Sequence, residues 1–393
     1  MDAETVLFSP DMMLALDGLD DIRRMRGTEN PYWNRARFEI VWGLAVETGL
    51  TESEHLMLVP MREATREELL IYHDPSYVET VELFSNMGSA YAVRFGLDSE
   101  ECPIFPNVDT YARYPVGATV DATMGVAEGK FKNAVSFFGG FHHATESKAA
   151  GFCYYNDCVV ALKRYRKEYP GKRVLYLDTD AHHGDGTQRA FYSDPNVLTI
   201  SMHELSIGFF PGSGRVEEIG TGPGKGYSIN IPLPPLTDDY EFWRAFEEVV
   251  VPIWRVYAPD LVFWEIGADC HMYDPLADLM LTNDTYARMS ETVRRLVSKM
   301  NSGLVVVGGG GYNPAIAARI WTMILSDLIG VRLPTELPPR WVERCNDSKV
   351  IVYAEGWTDR PYRVSCDNEP SIRRAVSETI DKIKETVFPL HGL

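Results

Sequence analysis

The sequence has little that would direct the protein to a membrane, to nucleic acid or to an oxidising compartment. No segment approaches the ~20 apolar residues of a membrane-spanning helix, and the first residues, MDAETVLFSPDMM, lack the basic stretch and apolar run of a secretion signal. The six cysteines have neither the density nor the paired spacing of a disulfide framework or a zinc finger. We therefore expect a cytoplasmic protein that is neither secreted nor embedded in a membrane.

Basic residues are also scarce relative to acidic ones. The chain of 393 residues has 38 Lys and Arg against 56 Asp and Glu, which gives a formal net charge of -18. This charge opposes non-specific attraction to nucleic acid or anionic lipid and favours cationic substrates or partners. We expect no direct binding of nucleic acid. Because many enzymes are acidic merely to stay soluble, the charge does not identify a substrate, and the sequence leaves the oligomeric state open.

The remaining composition is that of a globular protein, with 45% hydrophobic and 24% charged residues. No linker separates an independent domain, so residues 1–393 are predicted to form one domain, with 334–393 as a carboxy-terminal extension packed on it. From residue 134 onward, short apolar runs alternate with longer amphipathic segments, which is typical of parallel strands joined by crossover helices. We predict an α/β fold of three layers, α/β/α, around a mostly parallel central sheet.

The predicted strands are 134–138, 173–178, 197–201, 227–231, 260–266 and 304–308. The predicted helices are 34–48, 75–86, 156–168, 239–257, 284–300, 314–329 and 371–386, and residues 103–115 are predicted as a proline-containing loop. Chemically capable residues follow five of the strands, in the segments GGFHH, TDAHHGDG, MHE, ADCHMYDP and GGGYNP. Ligands of parallel α/β sheets bind beyond the carboxyl ends of the strands. One shared active site at this edge is the simplest explanation.

A metal site is indicated by the segment that follows the strand 173–178. Alternation along an extended chain lets Asp178, Asp180 and His182 point the same way, and carboxylates so close together repel unless a cation lies between them. An isolated Asp-x-His would more simply be a hydrogen-bonded loop, but Asp269 offers a third ligand after another strand. Two carboxylates and one imidazole leave an open position, as in catalytic zinc sites. Such ligands also tolerate Fe²⁺ or Co²⁺.

A zinc ion held by two carboxylates acidifies water weakly, so a separate general base is needed. His142 and His143 follow a Gly-Gly pair at a strand end, and Asp178 and Asp185 could each orient one imidazole. Without the metal cluster, this histidine pair would be read as ordinary polar loop residues.

The run Gly308–Gly311 before Tyr312 lacks the spacing of a phosphate-binding loop. We interpret it as a sharp turn that brings the Tyr312 hydroxyl into the site as an oxyanion donor, the alternative being a half-buried packing residue. Phe152 and Phe210 lie in loops at the same edge. If they face each other, they form an apolar slot for a methylene chain that bears a neutral amide.

Six ordered motifs, GGFHH, GFCYYND, DTDAHHGDG, FFPGSG, GADCHMYDP and GGGGYN, resemble the arginase/deacetylase superfamily. Within it, the chain is most similar to the zinc-dependent histone deacetylases and their prokaryotic acetoin-utilisation-type relatives, over roughly residues 20–330. The resemblance implies zinc ligation by Asp180, His182 and Asp269, a general base at His143, its electrostatic partner at His142 and an oxyanion donor at Tyr312. It implies that Asp178 and Asp185 support the two histidines.

The resemblance also implies roles around the reacting centre. Gly151, Phe152, Phe210 and Leu276 match the acyl-lysine channel, Glu101 matches an acid at its rim, and Arg35 resembles the arginine of the inner acetate pocket. Asp178, Asp180, His182, Ser201 and Met202 match a structural site for K⁺ or Na⁺. Glu265 departs from the pattern, because many members of the family have Gln there.

The activity implied is zinc-dependent hydrolysis of an N-acyl amide, foremost an N-epsilon-acyl-lysine in a protein or peptide. One alternative is deacetylation of small acylated amines, although Leu276 stands where polyamine-selective relatives have an acid. Another is an arginase-like ureohydrolase with two manganese ions, but Gly184 and His271 occupy positions where the second metal requires carboxylates. The third alternative is a non-catalytic protein that binds acyl-lysine.

Overall fold

Eight parallel strands form the central sheet of this computed structural model, which describes residues 4–19, 30–85, 90–353, 356–359 and 369–393. The strand order is β2-β1-β3-β8-β7-β4-β5-β6, and every pairing is parallel. The strands are β1 Thr5–Ser9, β2 Leu56–Pro60, β3 Asn133–Ser136, β4 Val174–Asp178, β5 Val197–Glu204, β6 Ser228–Leu233, β7 Leu261–Glu265 and β8 Gly303–Val307.

Helices connect the strands and cover the sheet, which confirms the predicted three-layer α/β/α fold. The α-helices are α1 Asp11–Leu14, α2 Arg35–Glu47, α3 Arg66–Leu69, α4 Pro75–Phe84, α5 Val108–Ala127, α6 Asp157–Glu168, α7 Asp185–Phe191, α8 Asp239–Ala245, α9 Val251–Tyr257, α10 Asn283–Met300, α11 Pro314–Ile329, α12 Pro339–Asp347 and α13 Glu369–Thr386. A π-helical turn, Phe246–Val250, joins α8 to α9, so the predicted helix 239–257 is one continuous helical stretch.

The inner strands are apolar on both faces, because helices cover both faces of a parallel sheet. Every residue of β4, VLYLD, and of β7, LVFWE, is buried. The edge strand β2, LMLVP, instead leaves most of its residues partly or fully exposed. The continuous apolar runs of the sequence therefore correspond to the centre of the sheet, and all six predicted strands are present within a few residues.

The prediction of a loop over 103–115 is wrong from residue 108 onward, because α5 begins at Val108 and contains Pro115. Proline removes one backbone hydrogen bond from a helix interior. However, α5 buries 16 of its 20 residues, and burial of apolar surface supplies most of the stability of helices in proteins. The strands β1 and β2 were not predicted.

The carboxy-terminal segment 334–393 contacts the rest of the chain at several points. Trp341 of α12 donates its indole N–H to the carbonyl of Ile40 in α2 at 2.8 Å, and Thr379 of α13 donates to the carbonyl of Pro232 in β6.

Residue 86, the last of a predicted helix, and Cys366 lie outside the described residues. The other five cysteines are buried free thiols. Within the described ranges, no helix has the length and apolarity needed to cross a membrane.

The topology positions the site. The five strands after which chemically capable residues were predicted, β3, β8, β7, β4 and β5, are direct neighbours in the sheet. Because all strands are parallel, their carboxyl ends meet at one edge. The loops that follow them therefore converge, as predicted.

Candidate active site

Asp180, His182 and Asp269 form a buried cluster at this edge, and their ligand atoms lie within 4.8 Å of one another. The Nδ1 atom of His182 is 2.8 Å from Oδ2 of Asp269 and 3.3 Å from Oδ1 of Asp180. Backbone N–H groups hold the carboxylates: Gly310 donates to Asp180 at 2.6 Å and Ala181 donates to Asp269 at 2.9 Å. The structure therefore brings together the three residues predicted as metal ligands.

The electrostatics of the cluster favour positive charge. Burial alone would lower the pKa of His182, but the hydrogen bonds and charges of Asp180 and Asp269 raise it to about 10. Burial and the charge of Asp180 raise the pKa of Asp269 to about 6. Two carboxylates and an imidazole nitrogen that attract a proton in this way are suitable ligands for a divalent cation.

His142 and His143 stand beside this cluster, each supported by an acid. Nδ1 of His142 lies 2.9 Å from Oδ2 of Asp178, and Nδ1 of His143 lies 2.8 Å from Oδ1 of Asp185. Asp157, at the start of α6, orients the segment before the pair by accepting the backbone N–H groups of Gly140 and Phe141. Sequence reasoning missed Asp157, although it lies within the quoted motif GFCYYND.

The two imidazoles differ in charge because their surroundings differ. Burial and the charges of His142 and His182 lower the pKa of His143 to about 4, despite the opposing effect of Asp185. Burial would also lower the pKa of His142, but the carboxyls of Glu265, Asp178 and Asp180 raise it well above the usual range. His143 is therefore neutral near pH 7 and able to accept a proton, whereas His142 is protonated.

Glu265, the departure from the family pattern, is a second partner of His142. It is buried, its Oε1 lies 3.0 Å from Nδ1 of His142, and its Oε2 accepts a hydrogen bond from the Tyr176 hydroxyl. Burial and the neighbouring charges of Asp178 and Asp180 raise its pKa well above the usual range, although His142 opposes this shift. The raised pKa favours the neutral form of the carboxyl, which resembles glutamine in charge as well as in size.

The glycine-rich turn after β8 packs its backbone directly against the metal cluster. A Cβ on Gly310 would lie 2.1 Å from Oδ2 of Asp269, so a side chain at this position would displace that carboxylate. The turn ends at Tyr312, whose backbone N–H donates to Oδ2 of Asp274 at 2.7 Å. Burial and the charges of Asp269 and Asp180 raise the pKa of the Tyr312 hydroxyl well above its usual range, so the hydroxyl remains a donor.

A cavity of about 330 Å³ opens onto this site. His143, His182 and Tyr312 line its floor, and Leu276, 39% exposed, lies at its mouth. The residues predicted for the channel all line it: Gly151, Phe152, Phe210, Leu276 and Glu101.

Contacts within the loops fix the shape of this channel. The carboxylate of Glu101 accepts the backbone N–H of Gly151 at 2.9 Å. Phe152 has a φ of 65°, an uncommon conformation for a bulky residue, and its carbonyl accepts the indole N–H of Trp33 at 2.8 Å. The ring of Phe210 lies 4.9 Å from that of His143 and nearly perpendicular to it.

The prediction that Arg35 lines an inner pocket is wrong. Its guanidinium donates to the carbonyls of Leu14 and Leu16 and is 26% exposed. Arg37 follows two residues later in α2, which turns its side chain by about 200° around the helix. It is fully buried, beneath the glycine-rich turn. The sequence NRARFEI offered both arginines, and only the phase of the helix decides which one faces inward.

Arg37 holds the turn from below. It donates to the carbonyls of Gly311 and Gly309 at 3.0 and 3.1 Å, and its guanidinium lies 4.0 Å from the ring centre of Tyr32. Tyr32 in turn lines a cavity of only about 10 Å³ behind the two histidines.

The residues predicted for a monovalent cation lie on adjacent strand ends, since Asp178 of β4 pairs with Ser201 of β5. The side chains of both are engaged elsewhere: Asp178 contacts His142, and Oγ of Ser201 lies 2.9 Å from Nδ1 of His203. A K⁺ or Na⁺ ion at Asp178, Asp180, His182, Ser201 and Met202 stays a prediction.

Comparisons with known proteins agree with this geometry. The profile of the histone deacetylase domain matches residues 32–328. The acetoin utilization protein AcuC of Bacillus subtilis (strain 168) is 34% identical over 330 residues, which cover 83% of this chain and 85% of that protein. AcuC of Staphylococcus xylosus is 32% identical over 345 residues, which cover 86% of this chain and 89% of that protein.

Solved structures show the same relationship. The crystal structure of a histone deacetylase homologue from Aquifex aeolicus matches with a TM-score of 0.81 and 30% identity, over 97% of this chain and 99% of that one. A homologue complexed with SAHA matches equally well, with 31% identity and the same coverage. The chain therefore belongs to the histone deacetylase family and is a hydrolase of the deacetylase type.

Proposed function

We propose that the chain removes the acetyl group of N-epsilon-acetyl-lysine in a protein or peptide, with the help of a divalent metal held by Asp180, His182 and Asp269. The observation that carries the proposal is the position of this cluster. His182 lines the floor of the channel together with a neutral imidazole, His143, and a protonated phenol, Tyr312. Zn²⁺ suits the mixed ligand set best, and Fe²⁺ and Co²⁺ are also compatible with it.

When bound, the metal supplies Lewis-acid polarisation of the acetyl carbonyl. The chain supplies the rest of the chemistry. Nε2 of His143 takes the proton of the attacking water, since its imidazole is neutral and Asp185 holds its other nitrogen. The Tyr312 hydroxyl donates to the oxygen that becomes negative. His143 then gives its proton to the amine that leaves.

The protonated His142 has a different task. It lies between His143 and the carboxyls of Asp178 and Glu265. Its positive charge keeps the pKa of His143 low and stabilises negative charge that develops at the reacting carbonyl. The two histidines therefore act as a base and a fixed cation.

The small cavity behind the histidines supports acetyl as the acyl group. Its volume of about 10 Å³ is room for roughly one water molecule, and Tyr32 and Phe141 are among the residues that close it. A longer acyl chain would have to displace these aromatic rings. We therefore expect hydrolysis of acetyl-lysine to exceed that of butyryl- or decanoyl-lysine.

The channel favours lysine over a polyamine. A polyamine has a second ammonium group, which needs a carboxylate at the mouth. Among the described residues that line the channel, Glu101 is the one acid, and Gly151 already donates to it. An apolar wall that includes Phe152, Phe210 and Leu276 suits the methylene chain of lysine.

The arginase-like alternative is disfavoured at both positions where a second metal needs a carboxylate. A Cβ on Gly184 would lie 2.3 Å from Oδ2 of Asp178, so no side chain fits there. His271, at the other position, directs Nε2 toward Asp359 at 2.9 Å. Gly184 and His271 therefore favour a site for one metal ion over a site for two.

The test compares acetyl-, butyryl- and decanoyl-lysine peptides with acetylated polyamines, using the chain freed of metal and then loaded with Zn²⁺. We expect metal-dependent release of acetate from the acetyl-lysine peptide. His143→Ala and Tyr312→Phe should each lower kcat about a hundredfold or more without unfolding the protein. Near-native turnover in either variant, or faster hydrolysis of the polyamines, would contradict the proposal.

A further inference from the structure

One loop contributes to three parts of the candidate active site. It connects β7 to α10 and carries Asp269 of the metal cluster, Asp274, and Leu276 of the channel wall. Asp274 accepts the backbone N–H of Tyr312 at 2.7 Å. Whatever holds this loop therefore holds a metal ligand, the oxyanion donor and the channel wall together.

His271 lies in the middle of the loop and is fully buried. Its Nδ1 accepts a hydrogen bond from the backbone N–H of Tyr273 at 3.2 Å, and its Nε2 is 2.9 Å from Oδ2 of Asp359. Because Nδ1 is an acceptor, the hydrogen of the neutral ring is on Nε2, which donates to Asp359. The imidazole is thus held by its own loop on one side and by a residue 88 positions further along the chain on the other.

Asp359 belongs to the carboxy-terminal extension, and two other residues of that extension contact the same region. The ring of Tyr353 stacks on that of Tyr273, with 4.3 Å between the centroids and 12° between the planes. The carbonyl of Trp357 accepts a hydrogen bond from the side chain of Asn283, at the start of α10, at 2.7 Å. The extension therefore contacts both this loop and the helix that follows it.

Arg319 links Asp359 to the opposite side of the site. It is fully buried on α11, the helix that begins two residues after Tyr312, and its Nη2 donates to Oδ1 of Asp359 at 2.9 Å. Burial alone would raise the pKa of Asp359, but the hydrogen bond from His271 and the charge of Arg319 lower it to about 2. Asp359 is therefore ionised, and its loss would remove the one carboxylate among the described residues that pairs with the buried Arg319 guanidinium. Leaving a buried charge unpaired is costly.

We propose that Asp359 is a positioning residue of the active site. Through His271 it holds the loop that carries Asp269, and through Arg319 it holds the helix that follows Tyr312. The inference rests on the proposed function, since it treats Asp269 as a metal ligand. The carboxy-terminal extension therefore contributes to the site. Without Asp359, Asp269 is no longer held in line with the other residues of the metal cluster.

Asp359→Asn in the full chain is the first test. Asparagine keeps the shape of the side chain but has no charge for Arg319. The matched control is Asp381→Asn, the same change at an exposed position of α13. We expect Asp359→Asn to weaken Zn²⁺ affinity, measured by competition with a chromogenic chelator, and to lower kcat, each by about tenfold or more, as loss of outer-shell partners of metal sites typically does. The control should match the unmodified chain.

A second pair of variants separates positioning from general stability. In His271→Gln the amide nitrogen can still donate to Asp359 from near the place of Nε2, whereas His271→Leu removes the donor. We expect the glutamine variant to retain more Zn²⁺ affinity than the leucine variant. We also expect the double variant His271→Leu/Asp359→Asn to lose less Zn²⁺ affinity than the sum of the losses in the two single variants. The two residues share one contact, so each substitution removes it. This pair also serves if Asp359→Asn does not fold.

The outcomes are distinguishable. Unchanged Zn²⁺ affinity in Asp359→Asn, or equal affinities in the two His271 variants, would overturn the positioning role even if the melting temperature falls, and would leave the proposed function intact. If the unmodified chain binds no Zn²⁺ and releases no acetate, the proposed function fails and this inference fails with it.

Discussion

The Nε2 atoms of His142 and His143 lie 3.0 Å apart, so one imidazole donates a hydrogen bond to the other. The donor is His142, because its pKa is raised by carboxyls while that of His143 is lowered to about 4. The single lone pair of this Nε2 of His143 is also the one that takes a proton from water, so the hydrogen bond from His142 has to be given up when His143 acts as the base. The basicity of His143 is therefore set by the charges on both sides of it.

Asp185 is the acid that opposes the fall in the pKa of His143. The neutral base is present above this pKa and is lost as the pH falls through it, so kcat/KM should decline toward acid. Asp185→Asn removes the opposing charge, so the pKa of His143 falls further and the acid limb of the pH profile moves to lower pH. We also expect kcat at pH 7 to fall by about tenfold or more, because the base is weaker and less well oriented.

The measurement is kcat/KM against pH for both proteins. Asp194→Asn is the control, since Asp194 contacts Arg166 instead. An acid limb that moves to higher pH in Asp185→Asn, or does not move, would contradict the assignment of His143 as the base.

Glu265 and Asp178 both contact Nδ1 of His142. Replacing the acid with its amide should nevertheless change kcat/KM by different amounts at the two positions. The raised pKa of Glu265 favours its neutral form. Glu265→Gln therefore keeps the shape of the side chain and the favoured neutral form, and we expect kcat/KM within about threefold of the native value. Asp178→Asn should cost about tenfold or more, since it weakens the orientation and charge of His142. Equal losses in the two variants would contradict this difference.

Much of the site could be predicted because it rests on local sequence. A strand end, a few polar residues and a glycine turn lie within single segments, and a parallel sheet brings all strand ends to one edge. The strand β1, TVLFS, could not be separated from other short apolar runs by periodicity alone. In α5, Pro115 appeared to exclude a helix that tertiary burial stabilises.

The features that were missed depend on contacts between distant segments. Asp359 reaches His271 across 88 positions, and no spacing in the sequence indicates that pairing. Arg35 and Arg37 are indistinguishable by residue type, and the direction of each depends on how α2 docks. Long-range packing, which local patterns do not specify, decides such cases.

Arg35 and Arg37 form a natural pair for a test. Arg37 makes two hydrogen bonds beneath the turn that carries Tyr312, and a hydrogen bond from a charged group contributes roughly 1.5–3 kcal/mol. We expect Arg37→Ala to lower the free energy of unfolding by about 3 kcal/mol or more and to lower kcat by about tenfold or more. Arg35→Ala, at a partly exposed position outside the pocket, should leave kcat unchanged. Urea denaturation measures the free energy of unfolding of both variants, and steady-state kinetics measure kcat. An equal fall in kcat in the two variants would contradict the placement of Arg37 at the site.

Gly310 offers the most direct test of the metal cluster. Its backbone N–H donates to Asp180, and an added Cβ would lie 2.1 Å from Oδ2 of Asp269. Gly310→Ala must therefore move a carboxylate, and we expect Zn²⁺ affinity and kcat to fall together by about tenfold or more. Gly171→Ala is the matched control, because a Cβ there meets nothing within 4 Å. Zn²⁺ titration with a competing chelator measures the affinity. Since the substitution adds a single methyl group and removes no functional group, normal affinity in Gly310→Ala would argue that Asp269 does not bind the metal.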